Sequence, residues 1–192
     1  MTANSKKNPN RLRIIGGDWR SRILHFADIP DIRPTPDRVR ETLFNWLQFQ
    51  ITGASCLDLF AGSAVLGFEA LSRGAESVVA LEQDSKAIAA IRENCKQLDT
   101  NKLEVIQGSA LDWLQHRQPR QFKLVFIDPP FAAGLHETCF DLLAARGWLA
   151  PNALIYVEAA SAVSGFTLPE NWSVKREKRA GDVHYALCQT TR

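Results

Sequence analysis

Residues 127–131 read IDPPF, an acid, two prolines and a phenyl ring set directly behind the apolar run FKLVF. Proline has no N–H and a fixed φ, so the pair ends a strand and leaves carbonyls that no ladder claims. Asp128 then offers a carboxylate, Pro129 a free carbonyl, Pro130 a stiff turn and Phe131 a ring face. That set suits an exocyclic amino group on a nucleobase. Such a nitrogen is a poor nucleophile because its lone pair is delocalised into the ring. Acceptors at its two N–H positions favour the pyramidal form that can attack a sulfonium methyl, and they hold the positive charge that develops. Phe131 would stack on the extruded base, worth about 1–3 kcal/mol by analogy with other aromatic–base stacks. Catalysis would come from positioning and electrostatics, with no covalent intermediate. The plainer alternative is a proline-rich turn capped by an acid. Its place at the end of a fourth parallel strand, downstream of an adenosine site, weighs against that.

The adenosine site is read from LDLFAGSAVLG (57–67), where a strand gives way to a loop of small residues and then a helix. Such a loop lets backbone N–H groups and a helix N-terminus approach a ligand closely. One strand later, Glu82 stands at a carboxyl edge, where it can accept both hydroxyls of a ribose. These features alone serve NAD and S-adenosylmethionine equally, and Gly62, Ala64 and Gly67 even fit a degraded dinucleotide fingerprint. Asp58 shifts the balance, since a carboxylate just before the loop suits a cationic methionyl group better than a pyrophosphate. The tetrapeptide DPPF has no role in hydride transfer. The competing reading makes Asp58 a loop cap and Glu82 a solvated strand end.

These residues need a sheet to carry them. From residue 55 onward, apolar strand patterns alternate with helical ones: SCLDLF (55–60), SVVALE (77–82), KLEVIQ (102–107), FKLVFID (122–128) and ALIYVE (153–158) are separated by helices near 65–74, 85–98, 111–114 and 135–146. This alternation predicts a parallel, doubly wound sheet. WSVKREKRAGDVHYALCQ (172–189) instead reads as an antiparallel hairpin turning at Ala180–Asp182, with KREKR as a solvated face. Residues 11–26 predict a small hairpin turning near Gly16–Gly17. RPTPDRVRETLFNWL then opens a helix, with Thr35 to cap it and Pro36 as its first residue. The expected organisation is a disordered tail over 1–10, a hairpin extension over 11–32 and one main domain over 33–192.

Composition excludes several classes. A hydrophobic fraction of 45% and a charged fraction of 23% over 192 residues fit one soluble globular domain. Four scattered cysteines form no C-x-x-C pair and have no histidine at metal spacing, so no metal is expected. No apolar run reaches the roughly 20 residues of a membrane helix, and the N-terminus lacks a secretory pattern, which predicts a cytoplasmic protein. The net charge is only +2, yet basic residues gather near the N-terminus. Arg11, Arg13, Trp19, Arg20, Arg22, Arg33 and Arg38 are candidates for contact with a polyanion, Trp19 by stacking. Packing of Trp19 against the sheet is the equal alternative. The four histidines have no partner pattern and read as structural or surface residues.

DPPF resembles the [DNS]-P-P-[FYW] motif of amino-group nucleic-acid methyltransferases. With RIIGGDWRSRIL (13–24), RPTPDRVRETLFNWL (33–47), LDLFAGSAVLGFEALSRGA (57–75) and ALIYVE, the resemblance covers almost the whole chain and extends to the RsmD group of bacterial 16S rRNA guanine-N2 methyltransferases. It implies a class I, Rossmann-like, seven-stranded S-adenosylmethionine-dependent methyltransferase fold. The sheet would be mostly parallel, with a C-terminal antiparallel hairpin and a small N-terminal β-hairpin. The target would be the N2 amine of one guanine, guanine-966 by this resemblance, in 16S rRNA. An assembled or partly assembled 30S particle is the expected partner, approached by a monomer. Carried over, Asp58, Phe60, Ala61, Gly62, Ser63 and Gln83 would line the cofactor, Glu82 would hold its ribose, and Ser109 and Ala110 would lie near its adenine. Thr35 and Arg38 would approach the methionyl end or the base. The loop departs from the group's usual GSGALG, with Ala64 and Val65 in place of Gly and Ala. A positive φ at Ala64 would cost about 1–2 kcal/mol. Two other functions fit the residues: an adenine-N6 methyltransferase, since DPPF reads an amino group and not a base, and a binding module without turnover.

Overall fold

The computed structural model describes residues 10–29, 34–130 and 134–191. Phe131 and Arg33, both candidates above, lie outside the described residues, as does most of the expected N-terminal tail. In chain order the elements are β1 (Arg11–Arg13), β2 (Ile23–His25), α1 (Asp37–Leu47), β3 (Ser55–Asp58), α2 (Val65–Ser72), β4 (Ser77–Glu82) and α3 (Ser85–Gln97). They continue with β5 (Leu103–Gln107), α4 (Ala110–His116), β6 (Phe122–Ile127), α5 (His136–Ala145), β7 (Leu149–Ala159), β8 (Trp172–Ala180) and β9 (Val183–Thr190).

Seven strands form one sheet in the order β5-β4-β3-β6-β7-β9-β8. The first five in that order are parallel, and β9 runs antiparallel to both β7 and β8. The expected fold class is therefore observed. From β3 the chain winds outward to β4 and β5, then returns to place β6 on the other side. A crevice consequently opens at the carboxyl ends of β3 and β6, the switch point where open α/β sheets bind ligands.

Strand alternation fills both faces. In β6, Leu124 and Phe126 join Phe44, Phe68 and Tyr156 in one core layer, while Val125 and Ile127 join Leu114, Phe140 and Trp148 in the other. With side chains alternating at period 2, Asp128 faces the same layer as Phe126. Helix boundaries follow local chemistry. Asp84 accepts the N–H groups of Lys86 and Ala87 to cap α3, and Gly74 (φ 94°) lets the chain turn after α2.

One expected cap is different. Pro36 (φ −59°, ψ 148°) occupies the cap of α1, and no side chain bonds its first turn. Thr35 lies one residue further out, beside the Glu158 carboxylate at the sheet end, and its carbonyl accepts from Arg40 at 3.2 Å. A threonine spacing that reads locally as a cap is placed by contacts from elsewhere in the chain.

The N-terminal hairpin shares the main core. Ile14 and Leu24 are buried in the layer of Phe44 and Leu71. Glu69, on the fully buried helix α2, accepts the N–H groups of Ile15 (2.9 Å) and Gly16 (2.8 Å). Ser72 accepts from the N–H of Trp19 and donates to the carbonyl of Gly16. Asn94 exchanges both hydrogen bonds with the backbone of His25. Gly17 (φ 78°) sits so close to Ser72 that a Cβ there would meet its carbonyl oxygen at 1.8 Å.

Candidate active site

Four strands end in acids: Asp58 closes β3, Glu82 closes β4, Asp128 follows β6 directly, and Glu158 is the penultimate residue of β7. All four stand at the carboxyl edge, around the switch point. The sequence singled out the first three. It missed Glu158, whose only signal was its place at the end of ALIYVE.

Asp58 is buried at the start of the small-residue loop, beside the N–H of Phe60. Burial, and then the charge of Glu82, push its carboxyl up to about 7, with Glu158 adding to the rise and the Phe60 N–H opposing it. Asp128 is half-buried, with Pro129 buried and Pro130 exposed beside it. Its carboxyl is held well above the ordinary carboxylate range by burial first, then by Glu158 and Asp58. Among the described residues no lysine or arginine contributes to either shift. The acids at this edge have no counter-ion among the described residues.

Glu82 does more than end a strand. One carboxylate oxygen accepts the N–H of Gly62 at 2.7 Å; the other accepts those of Gln83 (2.7 Å) and Asp84 (2.8 Å). A carboxylate has about four lone-pair directions, so room for one hydroxyl donor remains. Glu82 thus joins the β3–α2 loop to the β4–α3 corner while still facing the crevice. In that loop Gly62 has φ 53°, and Ala64 takes φ 55°, ψ 25°. The alanine that replaces the group's usual glycine does adopt the left-handed conformation.

The remaining cofactor candidates line the same edge. Phe60 and Gly62 are half-buried, and Ala61 and Ser63 are nearly covered. Ser109 caps α4 by accepting the N–H of Asp112, and Ala110 is buried behind it. Thr35, 5% exposed, joins them beside Glu158.

The basic candidates divide. Arg38 is exposed on the first turn of α1, close to Thr35, and Arg11 and Arg13 are exposed on β1. Trp19, Arg20 and Arg22 lie on the hairpin turn packed against Ser72 and Gln97, which end α2 and α3 at the opposite edge of the sheet. The length of α2 places that turn about 10 Å from the loop that begins the helix. Trp19 packs half-buried against the core. Arg22 donates to the carbonyl of Gln97 at 2.7 Å, a favourable partner for a helix C-terminus. His136 is buried, bonds the carbonyl of Glu158 at 2.8 Å and stacks on Phe166. It is a structural histidine.

Among the described residues no cluster of acids, histidines and cysteines could hold a metal ion, and no helix is long and apolar enough to cross a membrane.

The chain is similar to several known proteins. The family model described as Conserved hypothetical protein 95 matches residues 12–189. Ribosomal RNA small subunit methyltransferase D of Escherichia coli strain K12 is 46% identical over 188 residues, covering 95% of this chain and 94% of its own. The protein of that name in Haemophilus influenzae is 46% identical over 192 residues, covering 98% and 97%. The solved structure of the Escherichia coli yhhF protein superposes with a TM-score of 0.86 at 46% identity, covering 94% of this chain and 98% of that one.

Proposed function

The chain belongs to the family described as Conserved hypothetical protein 95, and on that premise we propose that it transfers a methyl group from S-adenosylmethionine to the N2 amine of a guanine in 16S rRNA. The observation that supports the chemistry is the placing of Asp128 and Pro129 at the carboxyl end of β6, across the switch-point crevice from Asp58. The side chains there fit a cationic, adenosine-bearing cofactor. Asp58 and Asp128 are acids with no cation beside them among the described residues, Glu82 keeps a lone pair for a ribose hydroxyl, and the Gly62 loop brings backbone close to the crevice.

When bound, S-adenosylmethionine supplies a methyl carbon whose bond to sulfur breaks, with the electron pair going to sulfur, as the new bond to nitrogen forms. Asp128 and the Pro129 carbonyl accept the two N–H bonds of the guanine amine and stabilise its pyramidal form. The proton that the methylated nitrogen sheds passes to the Asp128 carboxylate and from there to solvent. Asp58 and Glu82 hold the cofactor's charge and ribose, while Thr35 closes the crevice from the side of α1. Arg11, Arg13 and Arg38 meet phosphates.

Incubation with labelled S-adenosylmethionine and small subunits lacking the modification tests this reading. Label recovered as N2-methylguanosine supports it. Recovery as N6-methyladenosine, or RNA binding without incorporation, would replace it with one of the two alternatives. A chain of 192 residues has little surface with which to read a long RNA alone. The expected substrate is therefore a protein-bearing 30S particle, methylated faster than naked 16S rRNA, by a monomeric enzyme.

A further inference from the structure

Asp128 and Glu158 are neighbours on adjacent parallel strands. Ile127 pairs with Val157, so the two acids occupy the next rung side by side, with about 4.8 Å between the strands. Both face the core layer that contains Phe126 and Tyr156. Glu158 is only 3% exposed. The groups that face the pair are Asp58 from β3, Tyr156 from β7, Tyr185 from β9 (directly opposite Glu158) and Thr35 ahead of α1. His136, from α5, bonds the Glu158 backbone carbonyl and leaves the carboxylate alone. The buried Arg40 is committed to Asp37, to Glu69 and to the carbonyls of Arg13 and Thr35. Two neighbouring carboxylates, with a third acid nearby and no cation among the described residues, disfavour joint ionisation.

The hydrogen bonds decide which of them carries the charge. Tyr156 donates its phenol hydrogen to Glu158 at 2.8 Å, and Thr35 lies beside the same carboxylate. Both favour ionised Glu158. Among the described residues none donates to the Asp128 side chain. Asp128 is therefore the member that keeps the proton, yet it must lose it to become an acceptor for an amine.

We propose that Glu158 is a positioning residue: it shares one proton with Asp128, and that proton leaves for solvent when the positive charge of the methyl donor enters the crevice. This rests on the proposed use of S-adenosylmethionine. It makes binding of the charged donor, and not of the neutral thioether product, proton-linked. It also makes Asp128 competent only once the donor is in place. Burial holds Glu158 itself above the ordinary carboxylate range while Tyr156 and Thr35 oppose that rise, consistent with a proton divided between the two acids.

Calorimetry of the purified protein, in buffers of different ionisation enthalpy at neutral pH, counts the protons released on binding. The expected result is clear release with S-adenosylmethionine and little with S-adenosylhomocysteine. In Glu158→Gln, which keeps an acceptor for Tyr156 and Thr35, release falls by at least half while the melting temperature holds. Asp58 supplies the remainder. Equal release for the two ligands, or undiminished release in Glu158→Gln, overturns the proposal. The measurement uses no RNA. If the proton count holds while no RNA is methylated, the functional reading fails and the shared proton stands; active methylation with an unchanged count does the opposite.

Discussion

The Arg40 guanidinium and the Glu69 carboxylate form an ion pair at 3.2 Å with both side chains fully buried. Around it, Glu69 also takes the N–H groups of Ile15 and Gly16 and the Arg73 guanidinium. Arg40 donates to the carbonyls of Arg13 and Thr35. One pair thus fastens the N-terminal hairpin, the entry to α1 and the middle of α2. Thr35, which lies beside Glu158, is held through its carbonyl by the arginine of this ion pair.

Glu69→Ala should therefore cost about 3–5 kcal/mol, because it strands a buried guanidinium and two backbone donors. For a domain of this size that is a fall of roughly 10 °C in melting temperature. Arg40→Lys should recover little of the loss in its own series, since an ammonium cannot reproduce the planar fork that reaches two carbonyls and a carboxylate at once. Thermal unfolding of the variants checks both; full stability in Glu69→Ala would show the hairpin to be held by packing alone.

Asp128→Ala should lower turnover by about 10²-fold or more, the usual loss when one preorganised polar group aimed at developing charge is removed. Affinity for S-adenosylmethionine should change only a few-fold. Glu82→Ala should do the reverse, weakening cofactor binding first because Gly62, Gln83 and Asp84 lose their common acceptor. Equilibrium binding measured beside single-turnover rates separates the two. If cofactor affinity collapses in Asp128→Ala, its role is structural.

Asp58 makes stability depend on pH. Its carboxyl is raised from 3.8 to about 7 in the folded protein, so between those values the folded state holds a proton that the unfolded chain has released. Stability from this group is fully present below about pH 4, declines as pH rises, and is lost above about pH 7, at up to about 1.4 kcal/mol per pH unit. Asp58→Asn should flatten the decline and raise the melting temperature at pH 8, while weakening cofactor binding. Denaturation across pH 5 to 8 measures it; an unchanged slope in the variant would place the titration elsewhere.

Much of this architecture is legible in the chain. The parallel strands announce themselves as apolar runs, and the hairpin of β8 and β9 as two alternating runs about Gly181–Asp182. Asp58, Glu82 and Asp128 are found because each ends such a run. Glu158 also ends one, but local pattern carries nothing of its contacts with Thr35 and Tyr156, which depend on the strand order β3-β6-β7. The same limit applies to Trp19 and Arg22. Interleaved arginines and an aromatic ring look alike whether they face RNA or close the ends of α2 and α3. Only the direction of those helices shows that the turn lies at the far edge.

Ala64 shows how a departure in the cofactor loop is tolerated. Its left-handed conformation costs about 1–2 kcal/mol relative to glycine. Two terms oppose that cost. Its methyl is fully buried, which recovers about 0.8 kcal/mol. Alanine also restricts the unfolded chain more than glycine, recovering about 0.4–1 kcal/mol. The terms nearly cancel, so Ala64→Gly should leave stability within about 1 kcal/mol of the parent and cofactor affinity within a few-fold. Ala64→Val should not be neutral, because a β-branched side chain is poorly accommodated at positive φ and this site is already full; a loss of about 2 kcal/mol or more is expected. Chemical denaturation of both variants, with cofactor titration, decides it. A large gain in Ala64→Gly would mean that the strain dominates and the methyl packs poorly.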